Sequence, residues 1–120
     1  MSYRLHLTIH ELPRLQADTL SKWARAKERK DWHKAVAQHV VISGGRPKSP
    51  LEKAVLRCVR HSAHQPDYAN LVYSFKPVVD GLVKCDVLRD DKPSVLVDEA
   101  YEWSKAARGD GRIEVVVEEA

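Results

Sequence analysis

Two segments of the chain alternate apolar and polar residues with a period of two, and this pattern most limits the possible folds. One segment covers residues 3–9 and the other residues 53–61. A period of two places successive side chains on opposite faces of a strand, so each segment predicts a β-strand, the first with one side buried. The apolar residues that share one face of each strand are Tyr3, Leu5, Leu7, Ile9, Ala54, Leu56 and Cys58.

Two longer segments predict helices, at residues 20–41 and 70–84. Asp18 or Thr19 is a suitable N-cap for the first helix. Its apolar residues recur mostly at three- and four-residue spacing; they are Leu20, Trp23, Ala24, Ala35, Val36 and Val40. Pro77 falls inside the second helix, where it predicts a kink or the end of a first helical segment.

Two further strands are predicted near the C-terminus, at residues 94–103 and 112–118. The dipeptide Asp110-Gly111 between them is typical of a β-hairpin turn. The predicted order is therefore β-α-β-α-β-β, which indicates an α+β fold with a four-stranded mixed sheet and two main helices. A chain of 120 residues without an internal repeat is expected to form one domain, residues 1–120.

Composition excludes several classes of protein. No apolar run approaches the roughly 20 residues that cross a bilayer, and the N-terminal residues do not resemble a secretory signal. Two cysteines, Cys58 and Cys85, are too few for a disulfide framework or a cysteine-based zinc site. We expect two reduced thiols in a cytoplasmic protein without membrane contact.

The charges are divided unevenly along the chain. Residues 1–64 contain 13 Lys and Arg against 5 Asp and Glu, whereas residues 65–120 contain 7 against 12. A basic surface favours phosphate backbones, and an acidic cluster beside it is compatible with nucleic acid when it holds a metal ion. The division therefore suggests a metal-dependent nuclease, although an accidental charge gradient gives the same counts.

The first predicted helix carries a concentrated group of basic residues. These residues are Lys22, Arg25, Lys27, Arg29, Lys30 and Lys34. They predict a DNA-binding helix that contacts phosphates, with a solvated helix face as the alternative. Trp32 on the same helix is expected to be either a stacking residue or a core residue.

Aspartates near the predicted strand ends are candidates for a metal site. Asp67 follows the second strand, and Asp90 and Asp91 precede the third. If these carboxylates converge, they suit Mg²⁺ or Mn²⁺, which activates water for phosphodiester cleavage. Lys76 could hold a phosphate as a point charge, or form a salt bridge with Asp80.

The segment Pro66-Asp67-Tyr68-Ala69-Asn70-Leu71, followed by Lys76-Pro77, Asp80-Gly81-Leu82 and Asp90-Asp91, resembles a known family. It is similar to the RusA-type crossover junction endodeoxyribonucleases, which are Holliday junction resolvases of bacteria and prophages. The resemblance covers about residues 60–100. It implies a small mixed sheet with helices and a homodimer that cuts four-way DNA junctions with Mg²⁺ in recombination and repair. It also implies the cytoplasm of a bacterial cell or a phage-infected host.

The resemblance implies roles for individual residues. Asp67 corresponds to the first aspartate of the family motif, and Asp91 to the second member of the later pair, so both are expected catalytic metal ligands. Asp90 is expected beside them. Lys76 is assigned the role of the catalytic lysine, although the family often places that lysine where this chain has Tyr73.

Ala69 occupies the position of the motif's second aspartate, so one expected metal ligand is absent. Three interpretations stay open: an engineered substitution, a natural inactive copy, and an active variant with a rebuilt site. Because the other motif aspartates and Asn70 are kept, the first is favoured. Two alternative functions also remain: a branched-DNA-binding protein that does not cut, and a small phage scaffold or regulatory protein whose acidic half binds a protein.

Overall fold

A computed structural model describes residues 2–15 and 20–120 and confirms the predicted α+β architecture. The second predicted helix is divided in two. The elements in chain order are β1 (Arg4–Ile9), α1 (Lys22–Ile42), β2 (Ala54–Ser62), α2 (Tyr68–Ser74), α3 (Lys76–Lys84), β3 (Leu96–Lys105) and β4 (Arg112–Glu119). Within these ranges, no helix has both the length and the apolar character needed to cross a bilayer.

The four strands form one mixed sheet in the order β1-β4-β2-β3. β4 runs antiparallel to both of its neighbours, whereas β3 is parallel to β2. The predicted hairpin between β3 and β4 is therefore wrong, because β2 lies between them. The chain does turn near the predicted place, where the Asp110 N–H donates to the Ala107 carbonyl at 3.0 Å. That turn carries the chain past the end of β2 instead of folding β4 back onto β3.

One face of the sheet forms the core, as the alternating pattern predicts. Leu5, Leu7 and Ile9 on β1 are at most 2% exposed, and the inward residues Ala54, Leu56 and Cys58 of β2 are fully buried. α1 and α3 pack together over this face. Their close approach depends on Gly81, because a Cβ added there would lie 3.1 Å from the Cβ of Val36.

α1 contributes to the core only through its second half. Trp32, Val36 and Val40 are buried, so Trp32 is a core residue. Trp23 is instead 76% exposed, which corrects its predicted place in the apolar stripe: the first turns of α1 extend past the core. The observed N-cap is Ser21, whose hydroxyl accepts from the Ala24 N–H at 3.1 Å. Asp18 and Thr19, the predicted caps, lie outside the described residues.

α2 and α3 meet at Phe75, as the position of Pro77 predicts. Proline lacks a backbone donor and fits the first turn of a helix, and Pro77 lies in the first turn of α3. Phe75 is fully buried, and its ring centroid lies 5.9 Å from that of Tyr101 on β3. The break therefore places a large aromatic side chain between the helices and the sheet.

Candidate nucleic-acid interface

Asp67 forms the N-cap of α2. Its Oδ1 accepts from the Asn70 backbone N–H at 2.8 Å, and its Oδ2 accepts from the Asn70 side-chain amide at 3.0 Å. A capping carboxylate satisfies a backbone donor that the helix leaves free, so α2 begins at Tyr68, two residues before the predicted start. Both carboxylate oxygens of Asp67 are thus already engaged by the chain itself.

This cap gives a stability prediction for Asp67. Asp67→Ala is expected to lower the free energy of unfolding by about 1 kcal/mol, because alanine leaves the donors of the first turn unsatisfied. Asp67→Asn is the matched control, since asparagine caps helices as well as aspartate does. Urea denaturation measures both variants, and an equal loss in the two would contradict the capping role.

Asp90 and Asp91 lie at the opposite end of the sheet from Asp67. Their segment follows Leu88, which pairs with Leu51 just before β2 begins. Asp67 instead follows the other end of β2. The first and last Cα atoms of that nine-residue strand lie about 26 Å apart, because each step along a strand rises roughly 3.3 Å. The Asp91 N–H donates to Asp90 Oδ1 at 2.7 Å, and hydrogen bonds from Asp91 hold the pKa of Asp90 below its usual range.

The predicted convergence of Asp67 with Asp90 and Asp91 is therefore not seen within one chain. In the part of the chain that the structure describes, no three His, Cys, Asp or Glu side chains are placed to hold a metal ion. Ala69 is exposed and supplies no ligand. Mg²⁺ is usually held by one or two carboxylates together with water and substrate phosphate, and this chain places Asp67 and the Asp90–Asp91 pair at opposite ends of β2.

A groove between the first half of α1 and the α2–α3 pair collects basic side chains. Its volume is about 390 Å³. We call it the basic groove, and its basic lining residues are Arg14, Lys22, Arg25, Arg29 and Lys76. The structure thus brings Lys76 together with half of the predicted DNA-binding residues. The remaining three, Lys27, Lys30 and Lys34, lie on α1 outside the lining, and Lys27 pairs with Asp31 at 3.0 Å.

The basic groove carries a net positive charge. Two carboxylates line it, and one of them, Glu28, already pairs with Arg14 at 3.1 Å. The other is Asp80, and among the described residues no ion pair joins it to Lys76. The cations in the groove without a carboxylate partner in that part of the chain are Lys22, Arg25, Arg29 and Lys76. Tyr73, which is 42% exposed, adds an aromatic ring to the same lining.

A second cavity adjoins the basic groove and contains a residue that the sequence interpretation missed. Arg60 lies on the inward face of β2, is 6% exposed and lines a cavity of about 890 Å³. Its Nη1 donates to the Pro13 carbonyl at 2.6 Å, and burial lowers the pKa of its guanidinium. A signal was present in the sequence, because Arg60 continues the inward series Ala54, Leu56, Cys58. We call this space the Arg60 cavity.

Comparisons with protein-family models and with curated proteins find no match for this chain. The similarity to RusA-type resolvases therefore depends on the motif residues alone. Apart from that similarity, the structure places Lys76 beside basic residues of α1 in one groove.

Proposed function

We propose that this chain is a RusA-like protein that binds branched DNA, with the basic groove as its phosphate-binding surface. The observation that carries the proposal is the charge of that groove. Four cations without a carboxylate partner among the described residues line it, namely Lys22, Arg25, Arg29 and Lys76, whereas Asp80 is the one lining carboxylate that no described cation pairs with. Cations that are not neutralised within the protein attract the DNA backbone and release its counterions on binding. The groove supplies that charge from two separate elements of the fold.

Individual groove residues have distinct roles in this proposal. Lys76 holds a backbone phosphate as a point charge. Tyr73 offers its ring to an unstacked base or a sugar at a branch point. Two copies act on one junction, because a four-way junction presents two equivalent strands and a two-fold dimer matches that symmetry.

We further propose that the chain as written holds junctions without cutting them. Two observations support this part: Ala69 stands at a motif aspartate position, and Asp67 and Asp91 lie at opposite ends of β2. Cutting by a resolvase of this type requires Mg²⁺ or Mn²⁺ to activate water and neutralise developing charge. Ala69→Asp restores a carboxylate at an exposed position in the first turn of α2, where negative charge is also favourable to the helix.

A synthetic four-way junction tests both parts of the proposal. We expect the chain as written to bind the junction more tightly than a linear duplex of the same sequence, and to show no Mg²⁺-dependent cleavage on a denaturing gel. Ala69→Asp is expected to gain cleavage, because it adds a carboxylate to the first turn of α2, which Asp67 caps, and two carboxylates together with water and a DNA phosphate can hold Mg²⁺. Binding without any cleavage by Ala69→Asp would establish the non-cutting alternative, whereas rapid cleavage by the chain as written would contradict our assignment of the site.

A matched control separates chemistry from folding in this experiment. Adding Asp67→Asn to Ala69→Asp removes one negative charge and keeps the N-cap of α2. We expect this double variant to bind the junction and to lose cleavage. Undiminished cleavage in the double variant would show that Asp67 is not part of the metal site.

A further inference from the structure

We propose that the Arg60 cavity is a binding site for a phosphate-type oxyanion, separate from the basic groove. The proposal does not require the groove to bind DNA. It depends on the buried guanidinium of Arg60, on the cavity that Arg60 lines and on the Nε donor that has no hydrogen-bond partner among the described residues. The oxyanion belongs either to a nucleic acid strand or to a free phosphate compound, and the experiment below distinguishes these sources.

The first step is the unbalanced charge of Arg60. Its side chain is 6% exposed, yet in residues 2–15 and 20–120 no carboxylate lies within salt-bridge distance of it. A buried charge is costly unless it is paired and hydrogen-bonded. The fold therefore keeps a cation beneath α1 that these residues do not neutralise.

The second step is the geometry of the guanidinium. Nη1 is the atom that donates to the Pro13 carbonyl, and the buried Nε has no hydrogen-bond partner in the described ranges. The Nε and Nη2 donors form one edge of the planar group, which matches two oxygens of a phosphate side by side. Arg60 thus retains the edge that arginine uses for bidentate phosphate recognition.

The third step is the surrounding cavity. Its volume of about 890 Å³ is ample for a nucleotide-sized ligand. Two lining carboxylates are already paired: Glu28 with Arg14 at 3.1 Å, and Asp31 with Lys27 at 3.0 Å. The third, Glu11, is exposed, and Arg60 is the lining cation that has no carboxylate partner in the described part of the chain.

The NMR signal of the Arg60 side chain tests the proposal directly. In ¹H–¹⁵N spectra, the Nε–H signal of Arg60 is identified by its loss in Arg60→Lys. We expect this signal to move and saturate when inorganic phosphate is added at constant ionic strength. We expect Arg60→Lys to weaken phosphate binding, measured by the shift in melting temperature, by at least about tenfold. A signal that does not move with phosphate, a deoxynucleoside monophosphate or junction DNA would overturn the proposal.

Three comparisons make the result specific. Arg57→Lys changes an exposed arginine on the other face of β2, paired with Glu102, and should leave phosphate binding unchanged. Saturation by inorganic phosphate assigns the site to free phosphate compounds, whereas a response to junction DNA alone assigns it to the nucleic acid backbone. If the Arg60 signal moves in Asp18→Asn without added phosphate, the cation has an internal partner and the proposal fails.

The outcome is also independent of the basic groove. A variant with Arg25, Arg29 and Lys76 replaced by alanine should keep the phosphate response of Arg60, since none of these residues lines the Arg60 cavity. Loss of DNA binding with a retained Arg60 response supports both proposals. Loss of the response of Arg60 to inorganic phosphate in that variant would show that the cavity is not a separate site.

Discussion

Simultaneous replacement of Arg25, Arg29 and Lys76 by alanine is expected to lower the affinity for a four-way junction by roughly 100-fold at low salt. This value assumes about 1 kcal/mol for each lost contact between a cation and a phosphate. The slope of log affinity against log salt concentration should also become less steep by about three units, one for each contact. Fluorescence anisotropy at salt concentrations from about 50 to 200 mM measures both quantities.

The matched control removes the same charge from the same two helices. Lys30 and Lys34 lie on α1 and Lys84 ends α3, and none of the three lines the basic groove. Their triple alanine variant should lose much less affinity than the groove variant. Equal losses of affinity in the two variants would mean that DNA binding depends on the total charge of the protein, and would reject the groove as the binding surface.

Phe75→Ala is expected to have the largest effect on stability, a loss of about 3–5 kcal/mol in the free energy of unfolding. Phe75 is fully buried between the helices and the sheet, and its ring packs against Tyr101. Alanine would leave a cavity at the junction between α2 and α3. The melting temperature should fall by roughly 10–20 °C, as measured by circular dichroism or calorimetry.

Tyr73→Ala provides the control for this prediction. Tyr73 is an aromatic residue of α2 two positions before Phe75, but it is 42% exposed. Its removal should change the melting temperature by a small fraction of the Phe75→Ala effect and should reduce junction affinity. A similar fall in melting temperature for both variants would contradict the assignment of Phe75 to the core.

The sequence predicted those parts of the fold that depend on local patterns. The inward faces of β1 and β2 follow from alternation, and the break near Pro77 follows from the missing backbone donor. Strand pairing is not local. The turn before Gly111 forms, but a turn signal does not specify which strand lies next to β4. β2 accepts a strand on each of its edges, and it therefore separates β3 from β4.

The positions of the candidate site residues depend on the same pairing. Because β3 runs parallel to β2, the chain returns to the end of the sheet where β2 begins before it enters β3. Residues just before β3 therefore lie far from residues just after β2. That places Asp91 away from Asp67, a separation that follows from topology and not from the spacing of the motif. The approach of Lys76 to Arg25 and Arg29 depends on the packing of α3 against α1, which Gly81 permits. Nothing in the local sequence around Lys76 specifies that contact.

The central position of β4 has a consequence for synthesis of the protein. β1 pairs with β4, and the salt bridge between Arg4 and Glu118 joins residues 114 positions apart. A ribosome makes β1 more than a hundred residues before its partner strand. Until β4 emerges, the backbone donors and acceptors of β1 lack the strand with which they pair. We therefore expect sheet formation to follow translation of β4, and nascent chains that end before residue 112 to depend on chaperones.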